Sequence, residues 1–185
     1  MAARRTFVLV DGENIDATLG NSLLGRRPAP DERPRWERVT EFAHRTWDQP
    51  VTGLFFLNAS SGNLPTSFVQ ALLAMDYRPI PLAGSSDQKV VDVGIRRTLD
   101  ALRSHPDADV LLASHDADFV EQLGALLGGE RRLGLIGLRE YMSTQLTALG
   151  VPMFDLEDDV KAFNQPLPRV RIIPLADFDP ERFLL

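Results

Sequence analysis

The chain has 185 residues, 44% of them apolar and 25% charged, with a formal net charge of −6. That balance belongs to a folded domain with one sizeable core rather than to a disordered segment. An acidic chain is a poor non-specific ligand for nucleic acid unless a local basic patch or bound metal ions reverse the sign. The chain has no cysteine, which excludes disulfides, thiolate nucleophiles, zinc ribbons and iron–sulfur clusters. No stretch approaches the roughly 20 apolar residues of a membrane span, and Phe7–Val10 is too short for a signal peptide. A cytoplasmic protein with no membrane partner is expected.

Thr6–Val10 reads as a buried strand that runs into Asp11-Gly-Glu-Asn14. Asn14 is placed to cap a helix from Ile15 to Leu23 or Leu24. Gly25 to Pro34 is a loop by its glycine and proline content. Pro34 suits the first turn of a second helix, with Trp36, Val39, Phe42, Ala43 and Trp47 at helical spacing. Val51–Leu57 is a second strand and Asn58–Asn63 a polar loop. Phe68, Leu72, Leu73 and Met75 mark a third helix. Arg78–Leu82 is a short strand whose prolines at 79 and 81 place it at an edge.

Gly84–Asp87 is a turn and cap. A helix follows from about Gln88 to Ser104, with Val91, Ile95, Leu99 and Leu102 on one face. Asp109–Ser114 is the fourth strand, and its helix carries Phe119 to Leu127 and stops at Gly128-Gly129. Arg132–Gly137 is a strand, Glu140–Leu149 a helix and Val151–Phe154 a last strand, with a helical turn or two over Asp155–Phe163. Strand and helix alternate throughout, so a three-layer α/β/α domain with a mostly parallel central sheet is expected over residues 1–163. Residues 164–185 form a proline-punctuated C-terminal arm, still apolar at Val170, Ile172, Ile173, Leu175, Phe178 and Phe183. It would wrap its own domain or supply a homodimer contact.

In an open α/β sheet, ligands bind outside the carboxyl ends of the strands. Asp11 ends the first strand, Asp116 and Asp118 follow the fourth, and Asp92 lies one turn into a helix that begins at the same rim. If the first and fourth strands are neighbours, the four aspartates ring one cleft. So many like charges need cancelling. Hard divalent cations, Mg²⁺ or Mn²⁺, do this with oxygen ligands and support phosphodiester hydrolysis by acidifying water and stabilising the leaving oxygen. Each aspartate also has a plainer role. Asp11 and Asp116 can be helix caps, Asp118 can complement a helix dipole, and Asp92 can pair with Arg96. Separate caps have no reason to aim at one rim.

The same residues resemble a family. Asp11-Gly-Glu-Asn14 resembles the Asp-Gly-x-Asn opening of NYN domains, which belong to the PIN-like nuclease superfamily. Lys89-Val-Val-Asp92 resembles their Lys-x-x-Asp segment, and Ser114-His-Asp-Ala-Asp-Phe119 their Ser-Gly-Asp-x-Asp-Phe block. The three come in family order across roughly residues 6–160. The resemblance implies a PIN-like fold and a divalent-metal-dependent ribonuclease acting on single-stranded RNA. Asp11, Asp92, Asp116 and Asp118 would be its catalytic, metal-binding set, with Asn14 steadying the site and Asn14, Ser114 and Lys89 on the substrate side. His115 stands where glycine is usual, and a filler role on the loop is expected for it.

Other features carry less. Five arginines between Arg26 and Arg38, with Trp36 among them, suit single-stranded RNA through phosphate contacts and stacking. An exposed loop with Trp36 packed on the core is the preferred reading. Arg131 and Arg132 precede a strand, at the opposite rim. His44 and His105 have no partner at zinc-ligand spacing. A binding or regulatory module on the same fold, with or without a partner protein, is the alternative function. A haloacid-dehalogenase-like phosphatase would want an aspartate where Glu13 stands.

Overall fold

The computed structural model describes residues 3–185. Six strands form one sheet in the order β3-β2-β1-β4-β5-β6, every neighbouring pair parallel. They are β1 (Arg5–Asp11), β2 (Val51–Asn58), β3 (Tyr77–Leu82), β4 (Ala108–Ala113), β5 (Leu133–Gly137) and β6 (Met153–Asp155). The central strand β4 is buried along its whole length, as expected of a parallel strand covered on both faces. The α/β architecture is as the alternation of elements requires.

Two cores lie on the two faces of the sheet. One is built from α4 (Val90–Leu102), α5 (Val120–Gly124) and α6 (Thr144–Thr147), with Ile95, Leu99, Phe119, Leu123 and Leu146 packed on Leu9 and Leu112. The other takes α1 (Gly12–Thr18), α2 (Trp36–Trp47) and α3 (Thr66–Ala74), with Ile15, Leu19, Val39 and Leu72 packed on Val8, Val10 and Leu111. Among the described residues, no helix is long and apolar enough to cross a membrane.

β3 is the edge strand that its prolines require. The Leu82 carbonyl accepts from the Ala59 N–H, so even-numbered residues face β2. The missing donors of Pro79 and Pro81 therefore face outward, where no ladder bond is lost.

Several local expectations change. The first helix begins at Gly12, so Asn14 sits inside its first turn and does not cap it. After Thr18 it widens into a π-helical stretch, Leu19–Leu24, ended by Gly25 in the left-handed region at φ 66°. The helix expected over Glu140–Leu149 is reduced to α6 and a 3₁₀ turn at Arg139–Tyr141. The cause lies upstream: the Ser143 N–H is claimed by the His115 carbonyl, which breaks the ladder, and Ser143 restarts it as a cap on the Gln145 N–H. Asp155–Phe163 forms turns rather than a helix. The Asp155 carboxylate accepts from the Glu157 and Asp158 N–H groups, and Asp159 accepts from the Asp155 N–H.

The arm is held by two arginines more than by its apolar residues. Arg169 bonds Asp155, Glu140 and Glu157, and Arg171 bonds Glu157 and Asp158. Leu167 packs on the second core. Beyond them Ile172, Leu175, Phe178 and Phe183 are exposed.

At the amino-terminal rim, the buried Asp109 accepts from Arg4, Arg132 and Gln49. Arg132 also lies over Trp47, its guanidinium 5.2 Å from the ring centroid. The rim role that the sequence left blank for Arg132 is thus structural.

Candidate metal centre

The sheet order reverses between β1 and β4, and a crevice opens above that point. Val10 is level with Ala113, so Asp11 and Ser114 leave the two strands side by side. The Ser114 hydroxyl donates to Asp11 Oδ2 at 2.9 Å and accepts from the Asp116 N–H at 3.2 Å. Asp11 is only 2% exposed. Burial pushes its carboxyl up to about 7. The Ser114 hydroxyl works against that shift, and the nearby charge of Asp92 adds to it.

Asp92 is the third residue of α4, whose first turn stands over the crevice. Burial raises its carboxyl to about 6, helped by Asp118 and Asp116 and opposed by Lys89. Asp116 adopts an extended backbone and accepts from the Asp118 N–H at 3.0 Å. It is therefore a real cap of the 3₁₀ turn Ala117–Phe119. That bond uses one oxygen and leaves the other free to face the crevice.

One carboxylate oxygen each from Asp92, Asp116 and Asp118 lies within 4.8 Å of the other two. Opposite ligands of an octahedral Mg²⁺ stand about 4.2 Å apart at its usual bond length of roughly 2.1 Å. The donor set is all oxygen and all anionic, which fits a hard cation and not a soft one. Asp11 is outside this trio. It lies behind it, near enough for the charges of Asp92 and Asp116 to bear on it, with one oxygen held by Ser114.

Lys89 reaches the trio from the solvent side. Its Nζ is 3.9 Å from Asp92 Oδ2 and 3.7 Å from Asp118 Oδ2, with the side chain 74% exposed. Asn14 braces the site from within: its Oδ1 accepts the His115 N–H at 2.8 Å. The Asn14 side-chain oxygen and the Ser114 hydroxyl are thus both engaged with the loop that carries Asp116.

His115 does more than fill space. Its Nε2 accepts the Leu138 N–H at 2.7 Å, so the ring proton sits on Nδ1. That nitrogen faces Thr18 Oγ1 at 3.0 Å, and Thr18 bonds back to the Asn14 carbonyl. Burial holds the imidazole down at about 4. Gly137 is required beside it, since a Cβ there would come within 2.7 Å of the ring. Histidine thus ties α1, the Asp116 loop and the end of β5 together.

Sequence reasoning missed a second strand-end aspartate, Asp155, which closes β6 at the same rim. Burial alone would raise its carboxyl, but Arg169 and backbone N–H donors hold it well below the usual range. The available signal was the one that singled out Asp11, an acid directly after an apolar strand. What removes Asp155 from the metal set is its pairing with Arg169. Glu13 also stays out of the cluster; it lines a separate cavity beside Trp36 and Phe55.

No family model matches the chain, and no curated protein matches it in sequence. In three dimensions it is similar to a crystal structure of a protein of unknown function from Vibrio parahaemolyticus. The TM-score is 0.66 at 18% identity, over 85% of this chain and 95% of that one. The likeness establishes a shared α/β fold.

Proposed function

We propose that the protein is a divalent-metal-dependent ribonuclease of the NYN type within the PIN-like nucleases, hydrolysing phosphodiester bonds of single-stranded RNA. The observation that carries the reading is the convergence of Asp92, Asp116 and Asp118 at the β1/β4 crevice. Three carboxylates drawn from two separate motifs share one point, where plain helix caps would not. Mg²⁺ or Mn²⁺ bound there supplies a water of lowered pKa and neutralises charge building on the phosphate. Asp92, Asp116 and Asp118 hold the cation. Asp11 presents a proton-accepting oxygen at the floor of the crevice, and Ser114 fixes its orientation. Lys89 offers a cation to a phosphate oxygen.

The test is cleavage of a labelled single-stranded RNA in Mn²⁺ or Mg²⁺. Wild type cuts, EDTA stops it, and Asp92→Asn and Asp116→Asn are inactive while melting as folded proteins. A protein that binds RNA and cuts nothing across several divalent metals would overturn the nuclease reading. It would favour the second one, a nucleic-acid-binding or regulatory module. The specific support for that alternative is Lys89, whose ammonium lies beside both Asp92 and Asp118 and offsets part of their charge.

A further inference from the structure

A second concavity opens at the carboxyl end of β2, on the face of the sheet opposite α4. It has a volume of about 630 Å³, within the roughly 300–1,000 Å³ of small-molecule sites. Gly12 and Glu13, the two residues after Asp11, form part of its wall, which puts it on the same rim as the acidic trio.

Its apolar wall is a run of rings. Trp36 meets Phe55 edge to face at 5.3 Å, and Phe55 meets Phe68 edge to face at 5.2 Å. Trp36 and Phe55 are buried, at 6% and 3% exposure, so Phe68 is the ring partly open to solvent. Trp36 is held in place by the Tyr77 hydroxyl, which donates to its carbonyl at 2.8 Å.

Its mouth carries arginines of two kinds. Arg33 is spent on Asp16 at 3.0 Å, and the neighbouring Arg26 is bonded to Glu32. Arg27 and Arg35 also line the cavity, and among the described residues their guanidiniums make no hydrogen bond or ion pair. Arg35 is nonetheless anchored, since its backbone N–H donates to the Ala162 carbonyl at 2.7 Å. Two carboxylates without a cation partner, Glu37 and Glu13, also line the cavity, and burial raises the Glu13 carboxyl.

A flat apolar slot beside uncommitted guanidiniums is suited to an aromatic ring attached to a phosphate. We propose that this cavity holds one base of a single-stranded RNA, stacked on Phe68, with flanking phosphates on Arg27 and Arg35. The strand then continues past Gly12 and Glu13 to the acidic trio. The inference rests on the nuclease reading and adds where the substrate is gripped. A paired base is not free to enter, so the pocket selects single strands.

The experiment uses the full chain carrying Asp116→Asn, in EDTA, with a short single-stranded RNA followed by Trp36 fluorescence. Phe68→Ala is expected to weaken binding roughly 5- to 160-fold, the range for losing one stacked base, and Arg35→Ala to weaken it with a shallower salt dependence, as the loss of a phosphate contact does. An RNA with one abasic ribose at the gripped position should bind equally weakly, and Phe68→Ala should cost that RNA nothing more. Duplex RNA should not compete. If both variants melt like their parent and bind as tightly, the pocket is not the base site. Cleavage by wild type would then still stand for the nuclease reading, whereas no binding and no cleavage would remove both. If Phe68→Ala instead abolishes a dimer, the occupant is a second copy and the inference is overturned.

Discussion

Ser114 and Asp11 are joined by a buried hydrogen bond of 2.9 Å across the two strands at which the sheet reverses. The bond fixes which way the Asp11 carboxylate points while that carboxylate sits at almost zero exposure. The same hydroxyl accepts from the N–H of Asp116, a member of the trio, and groups that orient a metal-binding residue commonly tune affinity about 10- to 100-fold. Ser114→Ala is therefore expected to weaken Mn²⁺ binding by about that factor, measured by calorimetric titration. Its melting temperature should fall by what leaving one buried acceptor unpaired implies, about 1–3 kcal/mol.

Asp116 has two tasks that substitution can separate. Asparagine is as good a cap as aspartate, so Asp116→Asn should keep the Asp118 N–H bonded and leave metal-free stability intact or slightly raised. Asp116→Ala should cost about 1 kcal/mol in urea unfolding. Both should lose the melting-temperature gain that Mn²⁺ gives wild type. Equal stability of the two variants would show that the cap contributes nothing.

The crevice makes the metal-free protein respond to pH in an unusual direction. Asp11 and Asp92 have folded values near 7 and 6 against an unfolded value of 3.8. Between those limits the folded state holds more protons, so their contribution is full below about pH 4 and is lost as pH rises to 7. His115 runs the other way. Its value is near 4 when folded and 6.5 when unfolded, so its contribution is lost as pH falls through that window. Metal-free stability should fall from pH 4 to 7, and His115→Gln should steepen the fall. Saturating Mn²⁺ should reverse the trend, because binding expels the protons. Urea unfolding across the pH series reads all three.

Arg169 is 2% exposed and faces Asp155, itself fully buried. Removing one member of such a pair strands the other charge, at roughly 3–5 kcal/mol. Arg169→Ala should lose that much, while truncation after Arg171 should change stability by less than about 0.5 kcal/mol, because the residues beyond it are exposed. Denaturant titration of the two proteins compares them directly.

The acidic trio and its place were legible in the sequence because each element of the signal is local. An apolar strand ending in Asp11 and a helix start carrying Asp92 are readable within a few residues, as is the Asp116-Ala-Asp118 turn. The adjacency of β1 and β4 followed from general sheet topology. The position of Asp11 behind the trio was not legible, because it depends on how far each side chain reaches into the crevice. The resemblance had Asn14 steadying the site, but how it does so was not legible, because its partner His115 is 101 positions away. Local propensity read Asn14 as a cap, and a long-range bond from the backbone N–H of His115 claimed its side-chain oxygen instead. Asp155 went unread, and only the fold brings Arg169 to it and so keeps it apart from the trio.

The placement of Lys89 has one more consequence. Its ammonium lies beside two of the three carboxylates with most of its length in water, so it is a tethered counterion that can be displaced without unfolding anything. Loading the crevice with a dication makes that ammonium surplus there. Under the nuclease reading it would then turn toward solvent and meet a phosphate of the incoming strand. The lysine would thus exchange a carboxylate of the crevice for a phosphate of the substrate.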